Sequence, residues 1–187
     1  MSRWEPNAGG RLVQAALELY AERGFDQTTV AEIAQRAGLT ERTFFRYFAD
    51  KREVLFSGQD ALRDLMVGAL DAAPESAAPL TAIGIALHAT ADLFQQNPDF
   101  NRRRHAAIAA NTELQERELM KLAALASALA AALRRRGVPD PAASLAAEAG
   151  IAVFKISYER WIEHPANRDL ADFMQESLHA LTTVTSA

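Results

Sequence analysis

Apolar residues recur at helical spacing along almost the whole chain, and no stretch alternates polar and apolar residues long enough to build a sheet. That periodicity, with abundant alanine, points to an all-α fold. The breaks between runs are strongly marked. Gly24 follows a run from Arg11 to Arg23 whose Leu12, Ala15, Ala16, Leu19 and Tyr20 share one face, and Phe25 can fold back on its last turn. Thr28 and Thr29 offer N-caps for a helix from Val30 to Ala37, Gly38 ends it, and Thr40 caps the next from Glu41 to about Phe48. Asp50-Lys51-Arg52-Glu53 has the form of a capping box, predicting a long helix from Lys51 towards Ala73. Later helices are expected at about Leu80 to Gln96, Asp99 to Ala110, Glu113 to Arg136, Pro141 to His164 and Arg168 to Thr183. Asp140 before Pro141 reads as an N-cap with proline at the first helical position.

Composition removes several classes of function. The 187 residues include no cysteine, which excludes disulfides, thiolate metal sites and a cysteine nucleophile. No apolar leader stands in Met1 to Gly10, and the most apolar stretch, Leu122 to Leu133, is too short for a bilayer, which takes about 20 residues. The expectation is therefore a cytoplasmic chain without a membrane partner. The formal net charge of −4 speaks against nucleic acid at first, but its distribution matters. The first 56 residues balance eight Lys/Arg against eight Asp/Glu, and Arg36 to Arg52 carries five basic and two acidic residues. A local basic patch suffices for phosphate contact.

The informative window is TTVAEIAQRAGLTERTFFRYFADK, Thr28 to Lys51. Two short helices joined at Gly38 have the layout of a helix-turn-helix. Ile33 and Leu39 can fill the angle between them, Ala34 is small at the close approach, and Gly38 can take the positive φ of the turn. Phe44 and Phe48 fall at i, i+4 on the inner face of the second helix. Its outer face offers Glu41, Arg42, Thr43, Phe45 and Arg46, and such a helix fits the major groove.

These residues resemble the DNA-binding domain of TetR-type transcriptional regulators. The resemblance is carried by Gly24-Phe25, Thr28-Thr29-Val30, Ile33-Ala34, Ala37-Gly38-Leu39-Thr40, the run Phe44 to Phe48, and Lys51. One departure is Phe45, where the family's aromatic run commonly has a tyrosine, so any hydroxyl contact there is lost. The resemblance implies a DNA-binding domain over residues 1–56, a helical effector-binding and dimerisation domain over 57–187, and a long helix joining them. It implies a homodimer on a palindromic operator, usually a repressor released by a small molecule. Thr28, Thr29 and Thr40 are then expected at phosphates, with Tyr47 and Lys51 as further phosphate contacts. Arg42 is the candidate for reading guanine, Thr43 lies near a thymine methyl, and Arg46 serves base or phosphate. Arg3 and Arg11 are candidates for the minor groove. A phosphate role for Lys51 implies that its loss weakens every sequence alike and flattens the salt dependence.

The remainder resembles the family in architecture, which implies that the last two helices form a four-helix dimer interface. Leu145, Ala146, Ala149, Gly150 and Val153 permit close approach, with Phe154, Trp161, Phe173 and Met174 as bulk. Apolar candidates for an effector pocket are Leu62, Met66, Phe94, Phe100, Met120 and Phe154. Tyr158, His88, Arg104 and His105 are the polar or amphipathic ones, the last two within a basic run that can hold an anion. The run from Arg42 to Phe48 with Lys51 and Val54-Leu55 is also similar to regulators of the mycofactocin system, which implies an acyl-thioester or other apolar-tailed effector.

An enzyme needs a constellation that this chain lacks. His88, His105, His164 and His179 stand in separate segments, and Glu176-x-x-His179 is half of a di-iron carboxylate motif without its second copy. No nucleophile elbow, phosphate-binding glycine loop or His-Glu-x-x-His is present. No cofactor or metal is implied. The alternative to a regulator is a helical small-molecule-binding protein or enzyme that does not use DNA.

Overall fold

The computed structural model describes residues 7–164 and 168–185, and among these only helices and turns occur. Arg3 and Pro165 lie outside the described residues. None of the described helices is long and apolar enough to cross a membrane. The chain packs as two units, one holding the residues up to Gly58 with Arg102–Glu118, the other holding Gln59–Asn101 and the residues from Leu119 on.

In the first unit α1 (Ala8–Arg23) buries the expected face through Leu12, Ala15, Ala16, Leu19 and Tyr20. It begins before Arg11 because Asn7, at φ 69°, turns the chain into the helix. Gly24, at φ 85°, ends it with its N–H on the Tyr20 carbonyl, and the buried Phe25 ring packs edge-on against Tyr20 at 5.3 Å. Then follow α2 (Val30–Arg36) and α3 (Glu41–Tyr47).

The long helix expected from Lys51 is interrupted. A single 3-10 turn, Glu53–Phe56, precedes α4 (Gln59–Asp71). Asp50 does cap, accepting from the N–H groups of Arg52 (2.8 Å) and Glu53 (3.1 Å). The carbonyls that an α-helix would use next are taken by distant side chains. The Tyr20 hydroxyl donates to the Lys51 carbonyl at 2.6 Å, so the Leu55 N–H turns to Arg52 at 3.1 Å. The Leu55 carbonyl in turn accepts from Arg104 Nε at 2.7 Å. The α-helix starts beyond Gly58, at Gln59.

The second unit takes in α4, α5 (Pro79–Gln95), parts of α6 (Pro98–Ala109) and α7 (Thr112–Arg135), then α8 (Ala142–Glu163) and α9 (Leu170–Thr185). The later helices fall within one or two residues of their expected ends. α5 is central, packed on α4, α8 and α9. Its Ile83 and Leu87 share a core with Met66 and Leu70 of α4, Leu129 and Leu133 of α7, Trp161 of α8 and Phe173 of α9. The buried Ser157 hydroxyl ties α8 to α9 through the Phe173 carbonyl (3.1 Å) and Ser177 Oγ (3.0 Å). The N-cap position of α8 falls on Pro141, one residue after Asp140, whose carboxyl is lowered first by Arg134 and also by the Ser144 hydroxyl and backbone N–H in the first turn. Asp140 pairs with Arg134 at 2.6 Å and accepts from the Ser144 hydroxyl at 2.9 Å. Arg136 likewise reaches away from its own helix, donating to the carbonyls of Leu70, Ala73 and Pro74 at the end of α4.

Gly150 sets the spacing of α5 and α8, since a methyl group there would lie 2.5 Å from Ile83 Cγ2. Gly150→Val is therefore expected to cost roughly 1–3 kcal/mol by overpacking, of which helix propensity returns only a few tenths. Urea denaturation measures this, and an unchanged midpoint would show that the two helices part freely at this point.

Candidate nucleic-acid interface

α3 is held from both ends and from one side. Thr40 Oγ1 accepts from the Thr43 N–H at 3.2 Å, which caps its start, and the Phe48 N–H closes its end on the Phe44 carbonyl. Phe44 is fully buried and packs on Phe48 with ring centroids 5.5 Å apart, while Ile33 and Ala34 of α2 are buried beside it. Between the helices, Leu39 N–H reaches the Ala34 carbonyl and Gly38 N–H the Gln35 carbonyl, a Schellman closure that requires φ 67° at Gly38. The Ala37 carbonyl, at the end of α2, accepts from Arg11 Nη2.

The opposite face of α3 is open to solvent. Glu41, Arg42, Phe45, Arg46 and Tyr47 are exposed, Phe45 by 56%, and Thr43 is half-buried with its hydroxyl 3.0 Å from that of Thr40. The Arg46 guanidinium lies 5.1 Å from the Tyr47 ring, whose edge borders Gly9 at the start of α1. Such an array carries donors, a cation and an aromatic surface on one short rod, which suits base edges and phosphates.

Three of the residues expected at phosphates make hydrogen bonds within the chain. Thr28 is 1% exposed and its hydroxyl donates to the Gly24 carbonyl at 2.8 Å. Thr29 is the true cap of α2, in a full capping box. Its N–H (2.9 Å) and hydroxyl (2.8 Å) both donate to Glu32, whose carboxyl is held below its usual range first by the Thr29 N–H and hydroxyl and further by Arg23. Lys51 Nζ donates to the carbonyls of Phe25 (2.8 Å) and Thr28 (2.9 Å) and lies 4.1 Å above the Phe25 ring.

The basic patch is also smaller than its count. Arg36 forms a two-pronged pair with Glu22 at 2.8 Å and reaches Glu18 at 3.4 Å. Arg52 pairs with Asp50 at 2.7 Å, and the carboxyl of Asp50 is correspondingly lowered, first by Arg52 and then by the backbone N–H groups of Glu53 and Arg52. Among the described residues Arg42 has no ion pair, so it and Arg46 are the cations of the stretch left facing outward without a carboxylate.

The effector candidates divide. Leu62, Met66, Phe154 and Tyr158 are buried in the core of the second unit, with Phe94 packed against it, its ring centroid 5.5 Å from those of both Phe154 and Tyr158. The Tyr158 hydroxyl donates to the Asn101 carbonyl at 3.2 Å. Phe100 is half-buried on α6, whereas His88 and Met120 are exposed. Arg104 and His105 belong to the first unit, where Arg104 pairs with Glu118 at 3.0 Å and lies over the Phe56 ring, in addition to holding the Leu55 carbonyl. Glu176 of the half di-iron motif is engaged by Arg160 at 2.9 Å and by Arg168. Residues the sequence left unmarked also serve the site, chiefly Tyr20, whose burial in α1 was evident but whose hydroxyl partner 31 positions away was not.

The family of bacterial regulatory proteins of tetR type matches residues 12–57, and the MftR C-terminal domain matches residues 77–186. The chain belongs to the TetR family. That family is one of bacterial regulatory proteins. Like the HTH-type transcriptional regulator TcmR of Streptomyces glaucescens, with 38% identity over 79 residues, the chain carries the helix-turn-helix. That match spans 42% of this chain and 35% of TcmR, about a third of the relative's length. The putative mycofactocin biosynthesis transcriptional regulator MftR of Mycobacterium tuberculosis is 27% identical across 92% of this chain and 86% of its own. In fold, this regulator is similar to FadR of Bacillus subtilis, solved in complex with stearoyl-CoA, with a TM-score of 0.64 at 19% identity over 92% and 96% of the two chains.

The Tyr20 latch has a pH signature. Burial, and then the charge of Asp50, pushes the phenol well above its usual value, so the fold favours the neutral form. Its contribution is complete below about pH 10, where a free tyrosine begins to ionise, and is lost as the pH rises above it. Tyr20→Phe should lower stability at neutral pH by about 1–3 kcal/mol through the orphaned Lys51 carbonyl, and should remove part of the alkaline loss. Urea midpoints from pH 7 to 11 check this, and parallel curves for the two proteins would discount the latch.

Proposed function

We propose that this regulator acts as a homodimer that sets its two α3 helices into successive major grooves of a palindromic operator, as a repressor released by a small-molecule effector. The observation that carries the reading is the outward face of α3: Glu41, Arg42, Phe45, Arg46 and Tyr47 exposed on a helix whose other side is anchored by Phe44. The division of labour is at residue 56, with DNA binding before it and effector binding and dimerisation after it. Arg42 is the residue assigned to guanine, with Thr43 beside a thymine methyl, Thr40 and Tyr47 on the backbone, and Arg46 on base or phosphate. The dimer is assigned to α8 and α9, where Leu145 and Ile156 are large exposed apolar side chains.

The effector is an acyl thioester or another molecule with an apolar tail. Support comes from the stearoyl-CoA bound by the similarly folded FadR. Selection of bound duplexes from a random pool, in a salt series, tests the first half, and release of the selected duplex by stearoyl-CoA tests the second. Failure to enrich any duplex would favour a helical binding protein that does not use DNA. Arg42→Ala is expected to relax preference at one position of each half-site and to cost about 1–3 kcal/mol there. Competition with single-base variants of the selected duplex reads this out, and equal losses on operator and random DNA would remove Arg42 from base reading.

A further inference from the structure

α2 is seven residues long, and a cation from outside the helix-turn-helix holds a carbonyl at each of its ends. At the front, Lys51 Nζ bonds the carbonyls of Phe25 and Thr28, the latter just before the Thr29 cap. At the back, Arg11 Nη2 bonds the carbonyl of Ala37, the C-cap, beside the Gly38 turn. A side chain on Gly38 would begin 2.8 Å from the same Arg11 nitrogen, so the clamp and the turn are mutually fitted. The origin of the Lys51 side chain is itself fixed, because Tyr20 holds the Lys51 carbonyl. Since α2 packs on α3 through Ile33, Ala34 and Phe44, the pose of α2 sets the pose of the outward face.

We propose that Arg11 and Lys51 are positioning residues for DNA recognition: they act as a two-ended clamp on α2 and do not serve as phosphate or groove contacts. The inference rests on the DNA-binding reading. Two of the three ammonium donors of Lys51 are spent on carbonyls, and its remaining contact is the Phe25 ring. Losing the clamp loosens the aim of α3 and so degrades the base contacts, which need fixed geometry, more than the phosphate contacts, which tolerate displacement.

The test uses the full-length protein with a selected operator duplex and a scrambled duplex of equal length, across a salt series. R11M and K51M keep the aliphatic stems and remove the donors. The expected result is an operator affinity reduced about tenfold or more, a scrambled-duplex affinity reduced much less, and a slope of log affinity against log salt equal to that of the unchanged protein. R11K and K51R, which retain donors, should recover most of the ratio. A lysine or arginine on a phosphate would behave differently: the ratio would hold and the slope would flatten by about 1.8 for a dimer losing one contact per subunit. That result, or an unchanged ratio with an unchanged slope, overturns the proposal. Should the methionine variants not fold, K51Q and R11Q carry the same readouts at smaller size. If the unchanged protein binds no duplex at all, it is the regulator reading that fails, and the clamp with it.

Discussion

A seven-residue helix cannot hold itself. Four N–H groups at its start and four carbonyls at its end lack partners within it, and isolated helices below about 12 residues are marginal in water. Both helices of the DNA-binding motif are this short. Their persistence therefore depends on groups outside them that satisfy their ends and on one buried face that fixes their rotation. Phe44 supplies the rotation for α3, and threonine caps supply the starts of both helices. What remains is the carbonyl ends: the Gly38 and Leu39 N–H groups and Arg11 close that of α2, the Phe48 N–H closes that of α3, and Lys51 ties down the chain just before α2.

The use of cations at carbonyls recurs through both units. Lys51, Arg11, Arg104 and Arg136 each donate to main-chain oxygens at a helix end or turn, Arg136 to three of them. Guanidinium suits this role because it offers several donors in a fixed plane and no acceptor that would need its own partner. Of the 20 basic residues, then, a part is backbone hardware, and another part, such as Arg36 and Arg52, is cancelled by carboxylates. Formal charge along the sequence overstates what the surface can present. Exposed pairs of this kind add little stability, but they do decide which cations stay available.

This is also why the sequence disclosed some features and hid others. Caps, the turn at Gly38, the Phe44–Phe48 pair and the helical periodicity are local, and local patterns placed most helices within one or two residues. The break at residues 51–58 was hidden because its cause is not local: the carbonyls that would continue the helix are taken by Tyr20 and Arg104, 31 and 49 positions away. Asp50 even presents a convincing capping signal, and it does cap, but only a 3-10 turn. The outward residues of α3 were legible by elimination from the helical wheel. The burial of Thr28 and the carbonyl bonds of Lys51 were not, since a hydroxyl or ammonium near a helix start reads the same whether it faces solvent or a carbonyl.

On the DNA-binding reading, this economy of free charge has a functional consequence. Non-specific affinity grows with the number of phosphates neutralised, whereas specificity comes from base edges met in the right geometry. A domain whose spare cations are quenched by Glu18, Glu22 and Asp50 gives up non-specific affinity, while Arg42 and Arg46 stay unquenched on the probing face. On that same reading the glutamates on α1 bear on the background binding against which a specific site must compete, not on the operator contacts themselves. Stiffness matters for the same reason. With few phosphate contacts to pull the domain into register, α3 must arrive already aimed, and its aim is the sum of buried aromatic packing and satisfied carbonyls.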